Sequence, residues 1–358
     1  MENRPGALMS VALVCFITIS TAGCLNGDED DNEDGDRTIT DMLGREVDVP
    51  ASVERVAAVG AGSLRIMVYL QCTDLVVGVE EIEYQEGRPY AYAHPELGDL
   101  PTLGPMHGGD AELIASKEPD VIFWTYTTVS DADDLQEKTN VPVIALEYGD
   151  LGEGREVFYR ALELVSSVLD RAQRAENFMD FIDETIDELD ELGRKSSDDD
   201  VPSCYVGGIG YRGAHGMLST EPAYTPLELV HGTNVAGEVG LEHAFIDKEK
   251  LLEWDPDILL VDAGGLSLAL DDLEDPSYST LTALDDGEVY GLLPYNWYST
   301  NYATVLANAY YIGTIIRPGA FGGIDPEEKA DEIFTEMVGG GVYSKMAAFY
   351  GGFGKIEI

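Results

Sequence analysis

The sequence predicts an α/β protein built as two Rossmann-like lobes, each around a mainly parallel central sheet, joined by one long α-helix. Three observations carry this reading. Short apolar runs alternate with helical segments from about residue 55 to 148, and the alternation restarts at 203. Between them, from Glu156 to Lys195, there is no Pro and no Gly before Gly193, and apolar residues recur three and four apart (Phe158, Ala161, Leu162, Val165, Leu169). One phrase also occurs twice, as ELIASKEPDVIFW from Glu112 and EKLLEWDPDILLV from Glu249: in both, Pro-Asp and an apolar run follow seven residues after a Glu.

In chain order, residues 1–23 read as a signal peptide, with Arg4 ahead of an apolar stretch too short to span a bilayer comfortably. Thr21-Ala22-Gly23-Cys24 resembles a lipobox, which makes Cys24 the lipidation site; a plain membrane anchor or cleavage elsewhere is the alternative. Cys24 opens an acidic tether, 24–37, whose NGDEDDNEDGD run has no apolar residue.

The N-terminal lobe spans 38–152. RVAAVGAG is its first strand, SLRIMVYLQ a helix with Ser63 as N-cap, and DLVVGVE, Asp74 to Glu80, a second strand. A helix from Ala111 leads into the strand VIFWTY, then come a helix over Asp131 to Lys138 and the strand VPVIALEY. The linking helix covers 153–196, with room for one break near Asp170, and SSDDDVPS closes it.

The C-terminal lobe, 197–358, has strands at SCYVGGIGY, in the second copy of the phrase, and at GEVYGLLPY. Its helices are TPLELVHG, the start of the second phrase, Tyr302 to Ile316 and Pro326 to Val338. In both copies Pro ends the helix because it cannot continue the hydrogen-bond ladder.

Acidic residues number 68 against 21 Lys plus Arg, a net charge of −47. Such a surface repels nucleic acid and anionic headgroups and excludes them as partners. The acids are spread along the whole chain, as in the halophilic archaeal proteins that the composition resembles; an acidic partner-binding surface is the other reading. Cys72 and Cys204 have no zinc or iron–sulfur spacing, so they read as two buried thiols, with a disulfide between the lobes as the alternative.

VGGIGYRG carries G-x-G-x-x-G at Gly208, Gly210 and Gly213, but AHGMLSTEPAYTP follows where a dinucleotide site needs a helix. A Gly-rich loop at the lobe junction is the better reading. The loops after the strands are aromatic: Trp124 and Tyr126, Tyr148, then Tyr211, Arg212 and His215, then Tyr295, Trp297 and Tyr298. Together with Arg88 these are the candidate cleft residues, because aromatic faces with a few cations suit a large planar or chelate ligand. Half of the aromatics are expected to pack the core instead. His107 and His215 lie in Gly-flanked loops and are the weak candidates for a direct metal site. No nucleophile elbow, Walker loop or acid–base constellation is present, so no enzyme is expected.

The lipobox, the two lobes, the linking helix and the paired phrase together resemble the substrate-binding lipoproteins of iron-siderophore, haem and cobalamin ABC importers, from about Thr38 onward. The resemblance implies a monomer outside the cytoplasm, held to the outer face of the membrane by its lipid, with no cofactor of its own. It would capture an iron chelate or related metal complex and deliver it to the permease and its ATPase. It further implies that Glu112 and Glu249, one on each lobe, dock on arginines of the permease. A cell-surface sensory or adhesion protein of the same fold, and haem, cobalamin or free metal ion as ligand, are the alternatives. A nitrogenase-like redox protein would need Cys-held clusters that this chain has no Cys to hold.

Overall fold

The computed structural model describes residues 35, 37–195 and 201–358. The signal peptide, Cys24, nearly all of the acidic tether and residues 196–200 lie outside them. An antiparallel pair, β1 (Arg37–Thr40) and β2 (Glu46–Val49), opens the first lobe. Its parallel sheet has the order β3-β4-β5, with β3 (Val56–Val59), β4 (Val121–Thr125) and β5 (Val143–Leu146). Helix α1 (Ser63–Tyr69) follows β3, then α2 (Pro89–Ala93) and α3 (Ala111–Ala115) lead to β4, and α4 (Val129–Thr139) leads to β5.

The expected strand over Asp74 to Glu80 is not one. A 3-10 turn opens it at Thr73–Leu75, and Val76 bridges Val56 while Val79 bridges Thr102, so no ladder forms on either side. Ser63 is not an N-cap either: Gly62 caps α1, and the Ser63 hydroxyl donates to Phe123 O instead.

The linking segment breaks at the expected place. Helix α5 (Arg155–Val168) ends where Asp170 takes φ 54°, and Arg171 N–H reaches back to Ser166 O in a Schellman closure. The chain then reverses. Helix α6 (Ala172–Gly193) returns against α5, with Tyr159 Oη on Asp183 Oδ1 and the Phe158 and Phe178 ring centroids 6.4 Å apart, edge to face. The one long helix is therefore a helical hairpin, whose 22-residue second arm spans about 33 Å at 1.5 Å per residue.

The second lobe holds a five-stranded sheet of order β12-β11-β10-β6-β8, parallel except for β12. In sequence it comprises β6 (Ser203–Gly207), β7 (Ser219–Thr220), α7 (Thr225–Glu228), β8 (Thr233–Asn234), β9 (Ala244–Phe245), α8 (Lys248–Trp254), β10 (Ile258–Asp262), α9 (Leu266–Leu273), α10 (Thr282–Asp285) and β11 (Val289–Leu292). Then follow α11 (Tyr302–Ile316), α12 (Pro318–Phe321), α13 (Pro326–Val338), α14 (Tyr343–Tyr350) and β12 (Gly354–Lys355).

Alternation along the strands explains the layers. Val56, Ala58, Val121, Phe123, Ile144 and Leu146 of the first sheet join Cys204, Val206, Ile258, Leu260 and Leu292 of the second in one continuous core with α5, α6, α11 and α13. The opposite faces bury separately: Ala57, Val59, Ile122 and Val143 against α3 and α4, and Tyr205, Leu259, Val261 and Val289 against α8 and α9. Cys72 and Cys204 are both free and buried, and burial pushes their thiols up to about 11 and about 12.

Candidate functional site

The C-terminal ends of the parallel strands of both lobes converge, the usual ligand position in open α/β sheets. Gly60 closes β3 with φ 86°, and a Cβ there would lie 2.4 Å from Thr125 O, so only glycine lets the two strand ends approach. Beyond β11 the loop 296–300 is pinched by an Asn296–Thr300 bridge, with Tyr298 at φ 49° and Ser299 at φ 69°.

This loop is held from the other lobe by Arg65 of α1, which is 1% exposed. Its guanidinium donates to Tyr148 Oη (2.6 Å), Thr300 O (2.6 Å), Trp297 O (3.0 Å) and Tyr298 O (3.2 Å). Tyr148 Oη in turn donates to Thr300 O at 2.9 Å, and Tyr302, stacked on Tyr148, donates to Tyr148 O and Gly149 O. These groups form the floor.

On one side of the floor lies Glu80, 1% exposed. Its carboxylate accepts from Gly60 N (3.0 Å), Gly108 N (2.8 Å) and the Tyr298 hydroxyl (2.7 Å), and Tyr298 Oη accepts from His107 N at 2.8 Å. Burial raises the Glu80 carboxyl above the usual range; the hydrogen bonds from Gly108 and Tyr298 oppose it. On another side, Tyr126, 63% exposed and at φ 57°, touches Ser299 Oγ at 3.0 Å. The C-terminal lobe supplies Tyr211 stacked on His243 at 4.3 Å, with Phe245 edge-on, and His215 Nε2 bonded to Tyr211 O. Arg212 is exposed at φ 54°, over the Tyr211 ring.

Among the sequence-derived residues, Tyr126, Tyr211, Arg212 and His107 are exposed, and Trp124, His215 and Trp297 are half-buried. Tyr148, Tyr295 and Tyr298 are buried: Tyr148 and Tyr298 act between the lobes, whereas Tyr295 packs edge-on against Tyr224. Arg88 does not offer its charge to a cleft. It is 0% exposed, pairs with Glu83, donates to Ile82 O, Glu83 O and Gln85 O, and lies over the Tyr90 and Trp297 rings. The Gly208–Gly213 loop leads to turns rather than a helix, so no helix N-terminus meets the glycines. Among the described residues no group of three or more His, Cys, Asp or Glu is arranged to hold a metal ion. A surface cavity of about 280 Å³ lies elsewhere, lined by Leu64, Tyr84, Tyr90, His94 and Lys345.

Glu112 and Glu249 occupy equivalent places. Each is the second residue of its helix, exposed, and two residues after an N-cap Asp, Asp110 or Asp247. The repeat continues downstream. Glu118 and Asp255, each just before the Pro, take φ 49° and 42°. Asp120 Oδ2 accepts from Glu54 N and Arg55 N, and Asp257 Oδ2 accepts from Ser203 N and Oγ. Each Asp thus anchors the entry to the neighbouring strand, β3 or β6. Arg65, Glu80 and the Asp110 cap, which accepts from Glu112 N and Leu113 N, escape the sequence reading. The cations and acids look like surface groups there, although a lone Arg inside the apolar SLRIMVYLQ is a signal for the first.

The family model described as periplasmic binding protein matches residues 56–296. The molybdate-binding protein MolA of Haemophilus influenzae is 26% identical over 308 residues, 80% of this chain and 83% of that protein. The structure of MolA bound to molybdate gives a TM-score of 0.66 at 24% identity, covering 85% of this chain and 98% of that one. A periplasmic solute binding protein from Veillonella parvula gives 0.69 at 17% identity over 88% and 97%. A periplasmic heme binding protein from Pseudomonas aeruginosa gives 0.55 at 19% identity over 75% and 94%.

Proposed function

The chain belongs to the periplasmic binding protein family, and on that premise we propose that it is the extracytoplasmic solute-binding component of an ABC transporter and that its solute is a metal complex captured between the lobes. The observation that carries the reading is the junction itself. Strand ends of two parallel sheets meet there around the aromatic faces of Tyr126, Tyr211 and Trp297, with Arg212 as an exposed cation. An iron chelate with catecholate or carboxylate arms matches that surface, Arg212 pairing with the anionic arm. Glu112 and Glu249, on rigid helix starts of the two lobes, are the proposed contacts with permease arginines, and Cys24 the proposed lipid attachment.

A second reading has its own support. MolA binds molybdate, and the two lobes already touch through Tyr298–Glu80 and Tyr126–Ser299, which favours a small solute. Titrating the protein in molar salt with a ferric tricatecholate complex and with sodium molybdate, followed by tryptophan fluorescence, separates the two. Binding of the ferric complex, weakened by Arg212→Ala, supports the chelate reading. Saturable binding of molybdate alone replaces it with the oxoanion, and binding of neither overturns both.

A further inference from the structure

We propose that Glu80 is the positioning residue of the lobe junction and that its bond to Tyr298 is a latch between the lobes, released each time solute enters or leaves. Three observations support this. First, the Glu80 carboxylate is a single acceptor for three segments: the Gly60 turn after β3, the His107–Gly108 turn, and Tyr298 from the loop after β11. Two of these belong to its own lobe and one to the other. Second, the Tyr298 hydroxyl is used in both directions, accepting from His107 N and donating to Glu80, so His107 and Tyr298 are placed together. Third, four non-glycine residues with left-handed backbone gather at this place: His107 at φ 72°, Tyr126 at 57°, Tyr298 at 49° and Ser299 at 69°. Such conformations are costly and persist only where their surroundings hold them. The Glu80 contacts hold two of the four, and the Tyr126–Ser299 contact joins the others.

The latch also has a place to act. The shared core binds the lobes together on the side of α5, α6, α11 and α13, so the free edge of the junction is where they part. Gly108 shows why the carboxylate must stay put. A Cβ at Gly108 would lie 2.4 Å from the Trp124 ring, so the turn carrying His107 is pressed against a cleft wall and has no other seat. A carboxylate with three donors is a charge-assisted acceptor, and such bonds are stronger than those between neutral groups. Loss of the Tyr298 bond is felt as faster opening at the rim, while Arg65 keeps the loop backbone on α1.

The latch rests on the junction being the solute site, but it is tested first without solute. Spin labels at Lys138→Cys and Glu253→Cys, both exposed, report the distance between the lobes, while Cys72 and Cys204 are buried. Tyr298→Phe removes only the hydroxyl, and Glu80→Gln removes the charge. Both are expected to broaden the distance distribution and lengthen its mean, whereas Tyr84→Phe, which removes a hydroxyl bonded to Leu100 O within one lobe, leaves it unchanged. For whichever probe binds, ferric tricatecholate or molybdate, Tyr298→Phe is expected to speed release about tenfold, the kinetic equivalent of 1.4 kcal/mol. A Tyr298→Phe distribution that coincides with the wild type overturns the latch, and if Glu80→Gln does not fold, Tyr298→Phe alone decides. If neither probe binds the wild type, the solute reading fails while the distances still judge the latch.

Discussion

Replacing Arg65 with Met keeps the apolar stem and deletes the guanidinium that ties α1 to the loop of the other lobe. Four hydrogen bonds go, to Tyr148 Oη, Thr300 O, Trp297 O and Tyr298 O. Their loss is unequal. Thr300 O keeps the Tyr148 hydroxyl and Trp297 O keeps a 3.4 Å contact from Asn301 Nδ2, but Tyr298 O has no second donor among the described residues. Stranding that carbonyl costs about 1–3 kcal/mol, and the remaining bonds to a charged donor add roughly as much. Against this stands the relief of no longer burying a charge, which in other proteins offsets much of such a loss. The expected net is about 3 kcal/mol of stability, with Arg65→Lys in between because one ammonium cannot serve a fan of acceptors. Urea unfolding followed by circular dichroism suits the measurement, since urea leaves the ionic strength of this highly charged protein unchanged. A Met variant within about 1 kcal/mol of the wild type would show that Tyr148 alone seats the loop, refuting the assignment of that role to Arg65.

Asp120→Ala and Asp257→Ala each remove two exposed hydrogen bonds at a strand entry and are expected to cost about 1–2 kcal/mol, nearly equally; strongly unequal losses in urea unfolding would deny the equivalence of the two copies. Glu112→Arg with Glu249→Arg is expected to abolish cellular uptake while solute affinity in vitro stays intact, and unchanged uptake removes the docking proposal. Burial raises the Asp262 carboxyl to about 7, against opposing hydrogen bonds from Gly264 N and Tyr295 N, and burial likewise raises Glu221 to about 7. A raised carboxyl contributes stability that is full below its unfolded pKa near 4 and is lost as pH rises through about 7. Asp262→Asn should therefore gain on the wild type between pH 4 and 7, and a pH-independent difference would contradict the burial argument.

Much of the frame was legible because it rests on periodicity. Tyr302 to Ile316 and Pro326 to Val338 form helices with the expected bounds, and the doubled phrase marks matching helix–strand joints. The hairpin of α5 and α6 was half legible: Asp170 stood out as a break, but a break alone does not say whether the chain continues or turns back. Asp74 to Glu80 failed as a strand because β-branched composition says nothing about available partners, and Val76 and Val79 find different ones. At the junction, exposed aromatics such as Tyr126 and Tyr211 could be named from loops after strands. Arg65 and Glu80 could not, because their burial is created by a loop more than two hundred residues away in sequence. Arg88 is the opposite case: scarcity of cations makes it conspicuous, but its hydrogen bonds go to Ile82, Glu83 and Gln85 within six residues of it.

The inner faces of both sheets empty into one core, and thirteen of the fifteen residues of α11 are buried within it. Neither half can therefore bury its own apolar surface while the other is unfolded, whatever the two-lobed outline suggests. The protein should melt as a single cooperative unit rather than lobe by lobe. Cut at 196–200, the two fragments should stay largely unstructured apart and regain structure only when mixed. Motion between the lobes is thereby confined to the rim, because any larger excursion would have to open the interior that both halves depend on to fold.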